Sequence, residues 1–238
     1  MHYFPIAFPF LLLLFLLFVF LLILIEIDVL SYAYERMGIH RRYVFSLLLL
    51  SLLGSYVNIP VYQLPPEKVM SGGKAVFFGM HYVIPLVREW PGTIIAVNVG
   101  GAVVPTLLSI YLLVKNRLNG RALLGVAAVA VIVHLLAYPV PGVGIAIPPL
   151  IPPLLATAVG LLLSWQYAPA LAYICGTLGT LIGADLLNLG KLQGLGAPVA
   201  SIGGAGTFDG IFTTGILAVL LASFMTGKRK SSPPSGGK

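Results

Sequence analysis

The sequence is poor in charged residues and in cysteine. Only 9% of its 238 residues are charged, whereas 58% are hydrophobic. So apolar a composition excludes an ordinary soluble domain and is typical of a chain embedded in lipid. The single cysteine, Cys175, excludes a disulfide within the chain. We therefore expect an all-α polytopic membrane protein of the cell (plasma) membrane, with the lipid bilayer as its principal partner.

Several common catalytic motifs are also missing. The sequence contains no HExxH, no GxSxG and no P-loop lysine motif, which argues against a metalloprotease, a serine hydrolase of that type and a nucleotide site. The net charge of +7 does not indicate nucleic-acid binding, because the cations stand in short clusters at the ends of apolar runs. We expect no metal, no cofactor and no nucleic-acid partner.

Long apolar runs predict about seven membrane-spanning helices. A single membrane-embedded domain would cover residues 1–227, followed by a basic, low-complexity and disordered tail at 228–238. Between the second and third spans, a loop at about 61–90 alternates apolar and polar residues, which predicts a β-hairpin outside the membrane. Proline and glycine in "NVGG" and "PVPGVGIAIPPLIPP" predict broken or re-entrant segments. The predicted spans are approximately 4–25, 43–57, 93–114, 122–138, the end of the proline-rich stretch to about 165, 169–189 and 208–225.

The distribution of lysine and arginine predicts the orientation. With the C-terminus in the cytoplasm and the N-terminus outside, ten basic residues lie inside and four outside. The ten are Arg36, Arg41, Arg42, Lys115, Arg117, Arg121, Lys228, Arg229, Lys230 and Lys238; the four are Lys68, Lys74, Arg88 and Lys191.

The few acidic residues indicate a candidate site. Of seven in the chain, Asp185 and Asp209 are the only two after Pro91. In a helix that begins near Pro169, Asp185 lies about 24 Å along the axis, close to the outer edge of a core roughly 30 Å thick. Asp209 lies at the start of the next span, which enters from the same side. We expect the two carboxylates at one depth near the extracytoplasmic face.

The residues around these aspartates favour a compact polar site. Asn188 is three residues from Asp185 and is expected on the same face of the helix. A stripe of small residues in the sixth span, from Ala172 to Gly183, predicts close packing of a neighbouring backbone. The supporting or substrate-binding set is Asn188, Asn98, Asn58, Gly203, Gly204, Gly206, Thr207 and Gly210.

Four segments carry a resemblance to a known family. They are "NVGGAVVP", "GVGIAIPP", "GTLGTLIGADLLNL" and "SIGGAGTFDGIFTTGILAVLLA". These segments resemble the prokaryotic membrane protein family DUF1614, over nearly the whole chain after the first span. The resemblance implies no activity, but it implies that the four segments form one site.

A weaker likeness is to the GxGD-type, presenilin-like intramembrane aspartyl proteases, in which two aspartates lie on adjacent helices near a PAL motif. Here Asp185 follows "IGA", Asp209 follows "GAGTF", and PAL occurs at Pro169 to Leu171. The spacing at Asp209 is G-x-G-x-x-D, and PAL precedes both aspartates. This resemblance implies that Asp185 and Asp209 are catalytic.

Three interpretations remain open at this point. In the first, Asp185 and Asp209 share one proton and hydrolyse a membrane-protein or peptide substrate. In the second, the same polar site couples transport to H⁺ or Na⁺. The third makes both aspartates structural, at a helix start and at the membrane interface. A faint echo between "NVGGAVVPTLLSIYLL" and "SIGGAGTFDGIFTTGILAVLL" favours the transporter, since transporters often contain internal repeats.

Overall fold

The computed structural model describes residues 15–16, 19, 29–77, 80–140, 144–193, 195, 197–204 and 210–227, with the backbone alone at 29–30 and 67–90. Nearly all of the predicted first span at 4–25 lies outside these residues. Gly206, Thr207, Asp209 and the tail at 228–238 also lie outside them.

Seven α-helices make up most of the described chain. They follow the apolar runs of the sequence, since a backbone in lipid must satisfy its own hydrogen bonds. The helices are α1 (Val29–Met37), α2 (Val44–Gly54), α3 (Val104–Asn116), α4 (Asn119–Leu136), α5 (Ile151–Leu163), α6 (Ala168–Thr180) and α7 (Gly210–Thr226).

Three of the helical segments are long and apolar enough to cross a membrane. They are Val99–Asn116, Asn119–Leu136 and Ala168–Lys191, each of which joins a helix to any irregular turns attached to it. Helices α5 and α7 are apolar but shorter than a typical span. The chain is therefore a largely helical protein with membrane-type helices, and the count of seven spans stays a prediction.

Seven short strands form three small sheets. A mixed sheet has the order β1-β4-β7, with β1 antiparallel and β7 parallel to the central β4. The hairpin predicted in the loop at 61–90 is present as the pair β2-β3, and β5 and β6 form a second hairpin. The strands are β1 (Asn58–Gln63), β2 (Glu67–Phe77), β3 (Met80–Trp90), β4 (Ile94–Asn98), β5 (Tyr138–Val140), β6 (Gly144–Ala146) and β7 (Val199–Ile202).

The structure corrects two expected span boundaries. The third span was expected to begin at about 93, but Ile94–Asn98 is strand β4, whose β-branched residues suit a sheet between β1 and β7. Before α5, the expected re-entrant piece is instead the hairpin β5-β6, and α5 begins at Ile151 with prolines in its first turn. Proline is tolerated there because the first N–H groups of a helix have no partner within it.

Helix α6 is the centre of the helical bundle. All 13 of its residues except Leu178 are buried. Its small residues permit this, but they do not form the single smooth face that the sequence predicts. Ala172 and Gly176 lie against α5, whereas Gly179 and Gly183 lie against α4. The stripe therefore seats two neighbouring helices, one at each end.

Two apolar helices contain a π-helical segment at the sheet end of the molecule. One, Val99–Val103, leads into α3, and the other, Leu181–Asp185, follows α6 and passes into a 3-10 turn at Leu186–Lys191. Close backbone packing accompanies both distortions. A Cβ at Gly100 would lie 2.0 Å from the Ser51 carbonyl oxygen, and one at Gly183 would lie 2.4 Å from that of Ala130. The regular sixth helix predicted to about 189 thus ends at Thr180.

The two ends of the bundle differ in character. The sheet β1-β4-β7 lies at one end, where α2 leads into β1 and β4 leads into the helical segment of α3. At the other end, Arg36 donates to the Thr226 hydroxyl at 2.6 Å, and the Lys115 ammonium donates to the Gly38 carbonyl. The end of α7 and the end of α3 thus both meet the end of α1, among the basic residues predicted to lie inside. Which end faces the cytoplasm stays a prediction.

Candidate functional site

Asp185 lies where the sixth apolar helix loses its regular form. It is the last residue of the π-helical segment Leu181–Asp185, and its carboxylate accepts a hydrogen bond of 2.7 Å from the backbone N–H of Gly203. Gly203 directly follows β7 and has a φ of +89°. The helix break and the end of β7 therefore position this carboxylate together.

Asp185 faces a cavity of about 220 Å³ at the sheet end of the bundle. Glycine and small apolar residues form most of the wall, with the Asp185 carboxylate and the Ser201 hydroxyl as its polar side chains. The lining residues are Gly144, Ile145, Asp185, Leu189, Leu192, Ala200, Ser201, Ile202 and Gly204. Among the described residues, Asp185 is the only carboxylate in this lining.

The four motif segments of the sequence meet around this cavity. The segment at 142–149 contributes Gly144 and Ile145, the segment at 176–189 contributes Asp185, and the segment that begins at Ser201 contributes the β7 end. The segment at 98–105 contacts the last of these, because a Cβ at Gly203 would lie 2.6 Å from the backbone nitrogen of Ala102. The segments are distant in sequence, so the fold brings them to one place.

Asn98 and Asn58 lie in a hydrogen-bond network within the mixed sheet. The Asn98 amide donates to the Ser55 carbonyl at 2.7 Å and to Asn58 Oδ1 at 3.0 Å, and its own oxygen accepts from the Gly101 N–H at 2.8 Å. The Ser201 hydroxyl donates to Asn58 Oδ1 at 2.6 Å. Asn98 thus caps the π-helical segment Val99–Val103 and ties α2, β1 and β4 together.

The structure does not bring the three asparagines of the predicted set into the cavity wall. Asn98 is 1% exposed, and its hydrogen-bonding groups are used within the sheet. Asn188 was expected on the same face as Asp185, but the irregular turn there directs it inward, and its exposure is 0%. Its amide donates to the Gly183 and Ala184 carbonyls, while Oδ1 accepts no hydrogen bond within the described part of the chain.

We expect Asn98→Ala to destabilise the protein by about 2 to 4 kcal/mol, because the Ser55 carbonyl and the Gly101 N–H would lose buried partners. Thermal unfolding in detergent micelles, followed by circular dichroism, measures this effect. Asn116→Ala is the matched control, since Asn116 makes one bond, to the Leu112 carbonyl at the end of α3. Equal stability losses for the two variants would contradict the structural role of Asn98.

Asp209 itself is outside the described residues, but its neighbours on both sides are positioned. Gly204 lines the same cavity as Asp185. On the other side, Ile211 in the first turn of α7 packs in one cluster with Leu181 and Ala102. Both flanking residues therefore lie beside the segment that carries Asp185.

Comparison with known proteins identifies the family. The profile of a family described as "Protein of unknown function (DUF1614)" matches residues 52–221. The chain belongs to this family. No curated protein and no solved structure matches the chain. The likeness to aspartyl proteases therefore gains no support from these comparisons.

The DUF1614 region contains the whole candidate site. It begins within α2 and ends within α7, and it includes every residue that lines the cavity. The sequence prediction missed Ser201 and the hairpin residues Gly144 and Ile145. Their signal was present, since all three lie in segments that resemble the family. The Gly203 N–H was missed because any residue except proline carries one.

Proposed function

We propose that the chain is an intramembrane aspartyl-type hydrolase that cleaves peptide bonds at the sheet end of the bundle, with Asp185 and Asp209 as its catalytic pair. The observation that carries the proposal is the position of the Asp185 carboxylate in a cavity bordered by strand β7. A carboxylate kept in an apolar helix is costly, and such residues are commonly functional.

Strand β7 supports a peptide substrate. It pairs with β4 on one side, and no strand pairs with its other edge within the described residues. Three consecutive residues, Ala200, Ser201 and Ile202, border the cavity. An exposed strand edge binds an extended peptide through backbone hydrogen bonds, which suits a protease because it recognises the main chain. A substrate on this edge would lie beside Asp185.

The anchors of Asp209 support the pairing of the two aspartates. Gly204 and Ile211 hold the chain on either side of Asp209 next to the cavity and to Leu181. Two carboxylates within a few ångströms in a low dielectric share one proton, since both cannot ionise together.

The proposed chemistry needs only these two groups and water. The ionised carboxylate takes a proton from water as the water oxygen bonds to the peptide carbonyl carbon. The protonated carboxyl donates its proton to the carbonyl oxygen. The tetrahedral intermediate then loses its C–N bond, and the leaving nitrogen takes up a proton.

The test is cleavage of transmembrane peptides by the full chain in lipid vesicles. A pool of labelled apolar peptides is incubated with the protein, and products are identified by mass spectrometry. Peptides with a hydroxyethylene group in place of one amide should compete, because they imitate the tetrahedral intermediate. Absence of any Asp185-dependent cleavage across the pool would contradict the proposal.

A cation-coupled transporter is the second candidate, favoured by one observation. Asn188 Oδ1 is buried without a hydrogen-bond donor in the described chain, three residues after Asp185 and next to a broken helix. Broken helices supply oxygen ligands for Na⁺ or a site for H⁺ in transporters. However, the two segments of the internal echo include β4 and β7, which run parallel, so they are not an inverted repeat. Flux driven by an ion gradient, lost in Asp185→Asn and without peptide cleavage, would favour this candidate.

A further inference from the structure

A second cavity lies at the opposite end of the protein, between α2 and α3. It is a groove of about 490 Å³ with apolar walls. Leu47 and Leu50 from α2 and Val104 and Leu107 from α3 form much of the wall, and Tyr43 and Tyr111 complete it. Leu50 and Leu107 are more than half exposed, at 53% and 62%. We call this cavity the α2-α3 groove.

The shape of the groove follows from how the two helices pack. They run antiparallel and approach closely at the sheet end, where a Cβ at Gly54 would lie 2.9 Å from the Gly100 nitrogen. From Val104 to Tyr111, the α3 wall extends about 10 Å along the helix axis toward the basic end. One end of the groove is therefore narrowed by the glycine contact, and the other is marked by the two tyrosines.

Two cations stand at the tyrosine end. The Arg42 guanidinium lies 4.6 Å from the centre of the Tyr43 ring and donates to its hydroxyl at 2.6 Å. The Lys115 ammonium lies 5.3 Å from the centre of the Tyr111 ring and donates to its hydroxyl at 3.2 Å. Both cations are exposed, and no carboxylate lines the groove within the described residues. Each helix thus presents one cation and one tyrosine at the groove mouth.

We propose that the α2-α3 groove binds an anionic glycerophospholipid. Its acyl chain lies along the apolar walls, and its phosphate lies between Arg42 and Lys115. The match is one of charge and polarity: an amphiphile with an anionic head complements a groove that is apolar along its length and cationic at one end. Basic pockets between membrane helices bind anionic headgroups for this reason, and tyrosines are common at the membrane interface. The site lies apart from the Asp185 cavity and does not depend on the proposed hydrolase activity.

The test measures lipid binding to the full chain by native mass spectrometry. The protein in mild detergent is titrated with dioleoyl phosphatidylglycerol, with dioleoyl phosphatidylcholine as the zwitterionic control, and with glycerol phosphate as a headgroup without chains. We expect phosphatidylglycerol to bind at least about tenfold more tightly than phosphatidylcholine, and glycerol phosphate not to compete. Equal affinity for the two lipids, or full competition by glycerol phosphate, would overturn the proposal.

Variants at the mouth and in the wall locate the binding. Arg42→Gln and Lys115→Gln should each weaken phosphatidylglycerol binding about fivefold, as expected for one cation at an anionic surface. Arg121→Gln, at the same end but outside the groove, should leave binding unchanged. Leu107→Trp should block the chain site, whereas Leu124→Trp, on exposed α4 surface, should not.

Two further outcomes address the alternatives. Lys115 also donates to the Gly38 carbonyl, so Lys115→Gln could act by loosening α1. Lys115→Arg separates these effects: retained binding supports a charge contact, and lost binding overturns it. Cysteines at Leu50 or Leu107 that cross-link between two copies in phosphatidylglycerol vesicles would show that a second copy covers the groove, which also overturns the lipid proposal.

Discussion

Asp185→Asn is expected to lower kcat for peptide hydrolysis by about 10²- to 10⁴-fold, the usual contribution of a general acid or base. The amide oxygen of asparagine still accepts the hydrogen bond that Gly203 N–H donates to Asp185, so the end of β7 keeps its partner. Asparagine cannot take a proton from water, however. The variant should therefore fold normally, bind substrate peptide and fail in the chemical step, with KM nearly unchanged.

The control for this prediction is another carboxylate that lies away from the cavity. Glu35 is exposed on α1, near the basic end of the bundle. Glu35→Gln removes the same charge and should retain cleavage within about twofold, as expected of a surface substitution outside the site. Full activity in Asp185→Asn would contradict the catalytic role. A loss of activity together with a lower unfolding temperature would instead assign Asp185 to the structural interpretation.

Composition and apolar runs predicted much of the helical framework. The boundaries of α2, α4 and α7 lie within a few residues of the predicted spans, because lipid requires long uninterrupted helices. Asp185 was found for a similar reason, since a carboxylate is rare in such a run. Its depth near one end of the helix was also accessible, because it follows from counting residues at a fixed rise.

The sheet that borders the site was much harder to predict. Strands β4 and β7 are each only four or five residues long, and their partners are far away in the sequence. "IIAVN" is as apolar as the helix that follows it, so no change in pattern marks the boundary. The π-helical segments depend on tertiary contacts, such as Gly183 against the Ala130 carbonyl, which a single sequence does not encode locally.

The asparagines illustrate the limit of reading polar residues as site residues. Asn58, Asn98 and Asn188 are rare polar groups in an apolar chain, which made them candidates for the cavity. In the structure, Asn98 caps a helix start and Asn188 bonds to carbonyls of its own segment. A buried backbone group without a partner is costly, so such side chains are commonly used where a helix becomes irregular.

Gly203→Ala is expected to destabilise the protein by about 2 to 4 kcal/mol and to reduce hydrolysis with it. Gly203 has a φ of +89°, which an L residue rarely adopts, and a Cβ there would lie 2.6 Å from both the nitrogen and the Cβ of Ala102. Relief of this clash must move the end of β7 away from the segment at 98–105. The N–H that bonds to Asp185 would move with it, so the carboxylate would lose its positioning partner.

The matched control for this substitution is Gly190→Ala, in the 3-10 turn that follows Asp185. Gly190 is exposed, has no positive φ, and a Cβ there would meet nothing within 4 Å. Unfolding of both variants in detergent micelles measures the difference in stability, and the vesicle assay measures cleavage. If Gly203→Ala unfolds at the same temperature as Gly190→Ala, the close packing of the two glycine-containing segments is wrong. If it is destabilised but fully active, the Gly203 N–H does not position Asp185 for catalysis.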